Sequence, residues 1–197
     1  MTAGDPDDPR FPLGRGERTA LVVVDMLNDY DHPDAEPLRR NAEDVVPAIA
    51  RLRGVAREQD VPVIHVNDNH GLWSADRQAL VDMARRGAPD HLIDPVVPDD
   101  DAPFVVKARH SIFYGSPLEY LLEREGIGRL VLTGQVTEQC ILYSALDAYI
   151  RHFAVVVPRD AVAHIDDGLA DAALRMMESN MRAQVTTAED VELRPEG

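Results

Sequence analysis

Apolar residues along this chain come in short continuous runs, and each run stops at polar or charged residues. The first run covers residues 19–24 and stops at Asp25, and the second covers residues 61–66 and stops at Asn67. Continuous apolar runs are typical of strands that are covered on both faces, as in parallel sheets. The pattern predicts six strands, over residues 19–24, 61–66, 104–106, 129–133, 153–157 and 183–187.

Apolar residues at helical spacing fill the intervals between these runs. The longest helix is predicted over residues 38–59, where Val45 and Ile49 share one face and Pro47 predicts a kink or a break. Four shorter helices and a connector rich in proline and aspartate are predicted, the helices over residues 74–86, 117–125, 141–150 and 167–179 and the connector over 87–103. The alternation predicts one Rossmann-like three-layer α/β/α domain with a mostly parallel six-stranded sheet.

The chain has 197 residues, which is enough for one well-packed core and gives no reason to expect a second domain. We predict that the domain occupies residues 18–190. Residues 1–17 have no periodic apolar pattern and are predicted to form a flexible N-terminal arm, while residues 191–197 form a polar tail.

The net charge limits which molecules the protein can bind, and the cysteine content indicates its compartment. The net charge of −15 argues against binding to nucleic acid or to an anionic membrane surface. A single cysteine cannot form an intrachain disulfide, which fits a reducing compartment. No apolar stretch approaches the length of a membrane span, and the polar N-terminus has no signal-peptide hydrophobic region. We therefore predict a cytoplasmic protein that acts on a small molecule.

Three residues near the ends of predicted strands carry candidate chemistry. Asp25 follows the first strand, Lys107 follows the third, and Cys140 lies near the start of a helix after the fourth. Ligands of open parallel sheets bind at the carboxyl ends of the strands, so these side chains are expected to converge. The helix start favours a thiolate at Cys140 and offers N–H groups to an oxyanion, while Asp25 would accept the thiol proton and Lys107 would hold the carboxylate. The alternative is an ordinary buried thiol flanked by ordinary loop charges.

Four segments carry a family resemblance. They read ALVVVDMLND at residues 20–29, VVK at 105–107 with SIFYGSPL at 111–118, LTGQVTEQC at 132–140 and DAVA at 160–163. In this order, over roughly residues 18–190, they resemble the isochorismatase-like cysteine hydrolases. That family includes nicotinamidases, N-carbamoylsarcosine amidases and ureidoacrylate hydrolases.

The resemblance implies a catalytic triad of Asp25, Lys107 and Cys140 and a covalent acyl-enzyme pathway without a cofactor. It also implies a cis peptide bond between Gln135 and Val136, an oxyanion hole formed by the N–H groups of Val136 and Cys140, and a homodimer or homotetramer. The branch that hydrolyses vinyl ethers lacks the cysteine, so Cys140 favours cleavage of a C–N bond in a small amide, ureide or lactam. Two alternatives are a metal-dependent nicotinamidase and a catalytically silent binding or scaffold protein.

The same resemblance raises the question of a metal. Nicotinamidase-type members bind a divalent ion through Asp-x-His and a later histidine, which here would be Asp68, His70 and His91. The segment from Asn67 to Trp73 also resembles a metal-free motif in which an aromatic residue takes the position of His70. We therefore expect no metal.

Residues of three loops, 26–37, 67–76 and 108–116, are expected to line the pocket. The substrate-binding candidates on these loops and beside Cys140 are Asn28, Tyr30, Asn69, Trp73, Phe113, Tyr114 and Thr137. Aromatic residues often wall ligand sites, although ordinary packing explains them equally well. The acidic loop 25–36 would steer a cationic substrate by its local field, or would simply be a solvated loop.

Overall fold

The computed structural model describes residues 16–194. The prediction of a flexible arm falls almost wholly on residues outside this range, as does the end of the predicted polar tail.

One parallel sheet forms the centre of the molecule. Its strands are β1 (Arg18–Val24), β2 (Val63–Asp68), β3 (Phe104–Lys107), β4 (Ile127–Gln135), β5 (Ala154–Pro158), β6 (Val162–Ala163) and β7 (Gln184–Thr186). The strand order is β3-β2-β1-β4-β5-β7, and β6 pairs with β4 beside β5. The six predicted strands are confirmed. The two-residue β6 was missed because so short a strand leaves no apolar run.

Helices cover both faces of this sheet. They are α1 (Ala35–Glu58), α2 (Arg77–Gly87), α3 (Asp90–Ile93), α4 (Leu118–Arg124), α5 (Leu142–Ile150) and α6 (Asp167–Met181). Leu21 and Val23 of β1 pack in the same core cluster as α1 to α3, while Val22 and Val24 pack with α4 to α6. Alternate residues of one strand thus enter opposite cores, which explains the continuous apolar run. The predicted three-layer α/β/α architecture is confirmed.

Two local predictions need correction. α1 begins at Ala35, earlier than predicted, and continues through Pro47 as one helix, so of the kink or break predicted there the break does not occur. Pro47 has no N–H, so the carbonyl of Glu43 lacks its usual helical hydrogen bond. Both residues are exposed, so water can donate a hydrogen bond to this carbonyl. The connector over 87–103 contains α3 and a 3₁₀ turn at Asp94–Val96, because Leu92, Ile93 and Val96 are buried in the core.

Among the helices within residues 16–194, none has the length and apolar character needed to cross a lipid bilayer.

Candidate active site

The candidate site lies where the direction of strand addition reverses. β1 is the central strand, with β2 on one side and β4 on the other, so the chain crosses the sheet between β3 and β4. Such a switch point leaves a crevice at the carboxyl ends of the strands. Asp25 directly follows β1, Lys107 is the last residue of β3, and Cys140 lies in the turn after β4.

Close approach of β1 and β4 brings the first and last of these residues together. Gly134 has a φ of +109°, and a Cβ atom there would lie 2.0 Å from the carbonyl oxygen of Val24. No other residue fits this contact without moving the backbone. The Nε2 of Gln135 then donates a hydrogen bond of 2.7 Å to the carbonyl oxygen of Asp25. Asp25 itself has a φ of +56°, a conformation that aspartate tolerates better than most residues.

Lys107 is enclosed by acceptors. Its ammonium Nζ lies 2.8 Å from Oδ2 of Asp25 and 3.3 Å from Oδ2 of Asp68, and its side chain has no solvent exposure. The other oxygen of Asp25, Oδ1, accepts a hydrogen bond of 2.6 Å from the backbone N–H of Asp68. Burial lowers the pKa of Lys107, but the charge of Asp25, a hydrogen bond to Asp25 and the charge of Asp68 outweigh it and hold this pKa above its ordinary value. The ammonium is therefore a fixed positive charge.

Cys140 completes the cluster. It lies in a π-helical turn at Thr137–Ile141 that leads into α5, and its Sγ is 3.7 Å from the Nζ of Lys107. The side chain is buried, and Sγ lies 3.9 Å from Nδ1 of His110. The peptide bond between Gln135 and Val136 is cis, as the sequence resemblance implied.

The protonation state of Cys140 differs from the expectation. Burial, the negative charge of Asp25 and a hydrogen bond to Asp25 raise the pKa of Cys140 above its ordinary value, although Lys107 and the backbone N–H of Val136 act in the opposite direction. The backbone N–H of Val136 does favour the thiolate, as predicted for the helix start, but burial and Asp25 outweigh it. The neighbouring carboxylate and the loss of hydration outweigh the effects that stabilise the anion. Cys140 rests as a thiol next to a base.

A cavity of about 200 Å³ opens onto this cluster. It is smaller than the roughly 300–1,000 Å³ clefts that bind drug-sized ligands, so it suits a small substrate. Among the residues singled out from the sequence, six line it: Asp25, Asn28, Asp68, His70, Val136 and Cys140. Six others were not singled out: His32, Asp34, Leu38, Gln135, Gln139 and Ile165.

A family model described as the isochorismatase domain matches residues 19–190. The chain belongs to the isochorismatase family. YaaI of Bacillus subtilis (strain 168), an uncharacterised isochorismatase family protein, is 34% identical over 172 residues, which cover 87% of this chain and 95% of YaaI. Maleamate amidohydrolase of Pseudomonas putida is 27% identical over 158 residues, which cover 76% of this chain and 74% of that enzyme. The crystal structure of N-carbamoylsarcosine amidase from Thermoplasma acidophilum aligns with a TM-score of 0.67 at 28% identity, covering 89% of this chain and 99% of the other.

Membership of the isochorismatase family confirms the resemblance and makes this chain a hydrolase of that family. The individual site residues are then judged by where this structure places them. Asn28 lines the cavity, and its Oδ1 accepts a hydrogen bond of 2.7 Å from the backbone N–H of Tyr30. Tyr30 is buried outside the cavity lining, where its hydroxyl donates a hydrogen bond of 3.3 Å to Oε1 of Gln135. Burial raises the pKa of Tyr30 to about 12, so it stays neutral and supports the amide that holds Asp25.

The other substrate-binding candidates do not line the cavity. Trp73 and Tyr114 are 84% and 62% exposed, and Phe113 is buried in a stack with Phe153, at 5.8 Å between ring centroids. The hydroxyl of Thr137 donates to the carbonyl oxygen of Ala163, at 2.9 Å, and so anchors the turn that carries Cys140. Asn69 caps a tight turn, where its Oδ1 accepts from the N–H of Gly71 at 2.9 Å.

The metal ligands suggested by nicotinamidase-type members are not assembled here. Asp68 and His70 line the cavity, but Asp68 pairs with Lys107, and Nε2 of His70 lies 3.2 Å from the carbonyl oxygen of Leu27. His91 is on α3, away from the cavity lining. In the part of the chain that the structure describes, no group of three or more histidine, cysteine or acidic side chains is placed to hold a metal ion.

Some of the site residues that were not predicted could have been recognised from the sequence. His32 and Asp34 belong to the acidic loop that was noticed as a whole, and Gln139 is adjacent to Cys140. Ile165 and His110 come from segments whose path across the site is set by packing. No local sequence signal marks either of them.

Proposed function

We propose that this isochorismatase-family hydrolase cleaves a C–N bond of a small amide, ureide or lactam through a thioester on Cys140. One observation carries the proposal: a buried thiol lies beside a charged pair of Asp25 and Lys107 at the base of a small cavity. The amidohydrolase and amidase names of two relatives support this reaction class.

In the acylation step, Asp25 accepts the proton of the Cys140 thiol as Sγ attacks the carbonyl carbon. The C–S bond forms, and the carbonyl oxygen becomes an oxyanion that the backbone N–H groups of Val136 and Cys140 are proposed to stabilise. The oxyanion then reforms the carbonyl and the C–N bond breaks. The leaving nitrogen takes the proton from Asp25, so the step releases a neutral amine or ammonia and leaves a thioester. In a lactam the neutral amine stays tethered to the acyl group.

In the deacylation step, Asp25 accepts a proton from water as its oxygen attacks the thioester carbon. The C–S bond breaks, Asp25 returns the proton to the sulfur, and the products are the regenerated thiol and a carboxylic acid or, from a ureide, a carbamic acid. Lys107 remains protonated throughout. Its role is to hold the Asp25 carboxylate 2.8 Å away and to offset the negative charge as it moves to the sulfur.

The raised pKa of Cys140 fits this assignment. A thiol that rests protonated needs a base at the moment of attack, and Asp25 is the carboxylate whose charge raises the pKa of this thiol. Deprotonation is then coupled to substrate binding, which protects the nucleophile from adventitious alkylation in the empty site.

The test measures release of ammonia or amine from a panel of small amides, including nicotinamide, carbamoyl amino acids and ureides, and opening of lactams to the amino acid. Wild type is expected to release product from at least one class, and Cys140→Ala is expected to release none above background. Ser144→Ala, a change at a buried hydroxyl on α5, serves as a matched control for perturbation of this helix. Release that persists in Cys140→Ala would refute the nucleophile assignment.

A further inference from the structure

The charge of the cavity limits what it can bind. Three carboxylates line it, those of Asp25, Asp34 and Asp68, and within residues 16–194 no lysine or arginine side chain lines it. The nearby cation, Lys107, has no solvent exposure and is already paired with both Asp25 and Asp68. With Cys140 protonated, the cluster of Asp25, Asp68 and Lys107 carries one negative charge, and Asp34 adds a second.

Asp34 differs from the other two carboxylates because its carboxylate has no hydrogen-bond or ion-pair partner among the described residues. It is the N-cap residue of α1, yet its side chain does not accept a hydrogen bond from the first turn of the helix, as an N-cap aspartate usually does. The side chain is exposed at the cavity wall, available to a ligand.

The N-terminus of α1 lies at the same wall and carries a partial positive charge of its own. That partial charge is about half an elementary charge, and Asp34 at the N-cap more than offsets it. The other basic side chains at the wall are the imidazoles of His32 and His70. With these imidazoles neutral, a carboxylate of a substrate would meet uncompensated negative charge and no cationic partner, which is costly in a partly desolvated cavity. An ammonium or amidinium group would find Asp34 unoccupied.

We propose that the substrate carries a cationic group, and that Asp34 is the residue that selects it. This inference rests on the proposed function for the identity of the reacting carbonyl, but the charge preference belongs to the cavity and is measurable without a known substrate. The substrate class is then a small amide, ureide or lactam with a protonated amine or amidine beyond the scissile bond.

The test uses Cys140 as the reporter, because it is the only cysteine of the chain. Three methanethiosulfonates that carry 2-aminoethyl, 2-hydroxyethyl or 2-sulfonatoethyl groups modify the thiol at about pH 8, above the ordinary imidazole pKa of about 6.5. In each case the thiolate attacks the sulfenyl sulfur, a mixed disulfide forms and methanesulfinate leaves. Rates follow from intact mass and are divided by the rate of each reagent with free 2-mercaptoethanol.

For wild type, the normalised rate of the aminoethyl reagent is expected to exceed that of the sulfonatoethyl reagent by about tenfold or more, with the neutral reagent between them. In Asp34→Asn this ratio falls about fivefold. The matched control is Asp31→Asn, an exposed aspartate of the same loop that does not line the cavity, and it leaves the ratio within about twofold of wild type. A wild-type ratio near one, or equal effects of Asp34→Asn and Asp31→Asn, overturns the inference.

A second measurement separates this inference from the proposed function. Amides that end in an ammonium, a methyl or a carboxylate group, joined to the carboxamide by two to five methylenes, are assayed for ammonia release with wild type and Cys140→Ala. Release that depends on Cys140 and is as fast for carboxylate-terminated amides contradicts the charge preference and leaves the hydrolase proposal intact. Release that is independent of Cys140 contradicts the hydrolase proposal, whatever the reagent rates show.

Discussion

Two buried ionisable clusters in this protein reach opposite protonation states. At the carboxyl edge of the sheet, Lys107 is fully buried, yet its pKa is raised because Asp25 and Asp68 lie within ion-pair distance. On the α1 side of β2, His65 is also buried, and burial together with the neighbouring Arg53 lowers the pKa of His65 to about 3. Nε2 of His65 and Nε of Arg53 have no hydrogen-bond partner among the described residues.

Burial alone therefore does not decide whether an ionisable group is charged. Both side chains lose hydration, but only Lys107 gains opposite charges at short range, so only Lys107 keeps its proton in the interior. The first cluster, Asp25, Asp68 and Lys107, keeps its charges in the interior, where they can act on a substrate. The second cluster, His65 and Arg53, stabilises the fold only while His65 stays neutral.

Breaking the first cluster at Lys107 should have the largest effect. Lys107→Met leaves the Asp25 carboxylate buried without its cation, which costs about 3–5 kcal/mol in the free energy of unfolding. Turnover should fall at least about a thousandfold, because the base loses its position. Urea denaturation and product release check both. Lys107→Met with stability and turnover close to wild type would show that the pair is not central.

Asp25→Asn should change turnover and the reactivity of the Cys140 thiol in opposite directions. Turnover falls about 10²- to 10⁴-fold because the base is lost. The pKa of Cys140 falls at the same time, because the charge and hydrogen bond of Asp25 both raise it. Alkylation of Cys140 by iodoacetamide at about pH 8 should therefore become about tenfold faster than in wild type.

The control for this pair of measurements is Asp101→Asn, at an exposed carboxylate outside the site, which should change neither rate. Slower alkylation of Asp25→Asn than of wild type would contradict the assignment of Asp25 as the group that keeps Cys140 protonated.

The second cluster predicts acid sensitivity of the fold. Between about pH 6.5 and about pH 3 the unfolded chain binds a proton at His65 that the folded chain does not, so stability falls as the pH falls through this window. The slope from this residue is at most about 1.4 kcal/mol per pH unit. His65→Gln should reduce the difference in the free energy of unfolding between pH 7 and pH 5, as measured by urea denaturation. His91→Gln, at an exposed histidine, should leave the slope unchanged.

The smallest effect is expected outside both clusters. Trp73 is 84% exposed and does not line the cavity, so Trp73→Ala should change the free energy of unfolding by less than about 0.5 kcal/mol and kcat/KM by less than about twofold. A loss of kcat/KM beyond tenfold would support the sequence-based interpretation of Trp73 as a substrate-binding residue.

The sequence predicted the convergence of Asp25, Lys107 and Cys140 because the geometry of a parallel sheet brings strand ends to one edge. The protonation of Cys140 could not be predicted, since it depends on how deeply the thiol is buried and on the balance between the opposing charges of Asp25 and Lys107. The cavity wall was predicted only in part for a related reason. Asp34 and Ile165 reach it through the paths of their loops, which tertiary packing decides and local sequence pattern does not encode.

The catalytic role of Cys140 is tested most directly by intact mass after rapid mixing and acid quench with an amide that the enzyme turns over. Wild type is expected to gain the mass of the substrate minus its leaving amine, with the adduct on Cys140 in peptide mapping. Cys140→Ala is expected to gain no mass and to release no product. An adduct on another residue, or undiminished release from Cys140→Ala, would contradict the catalytic role of Cys140.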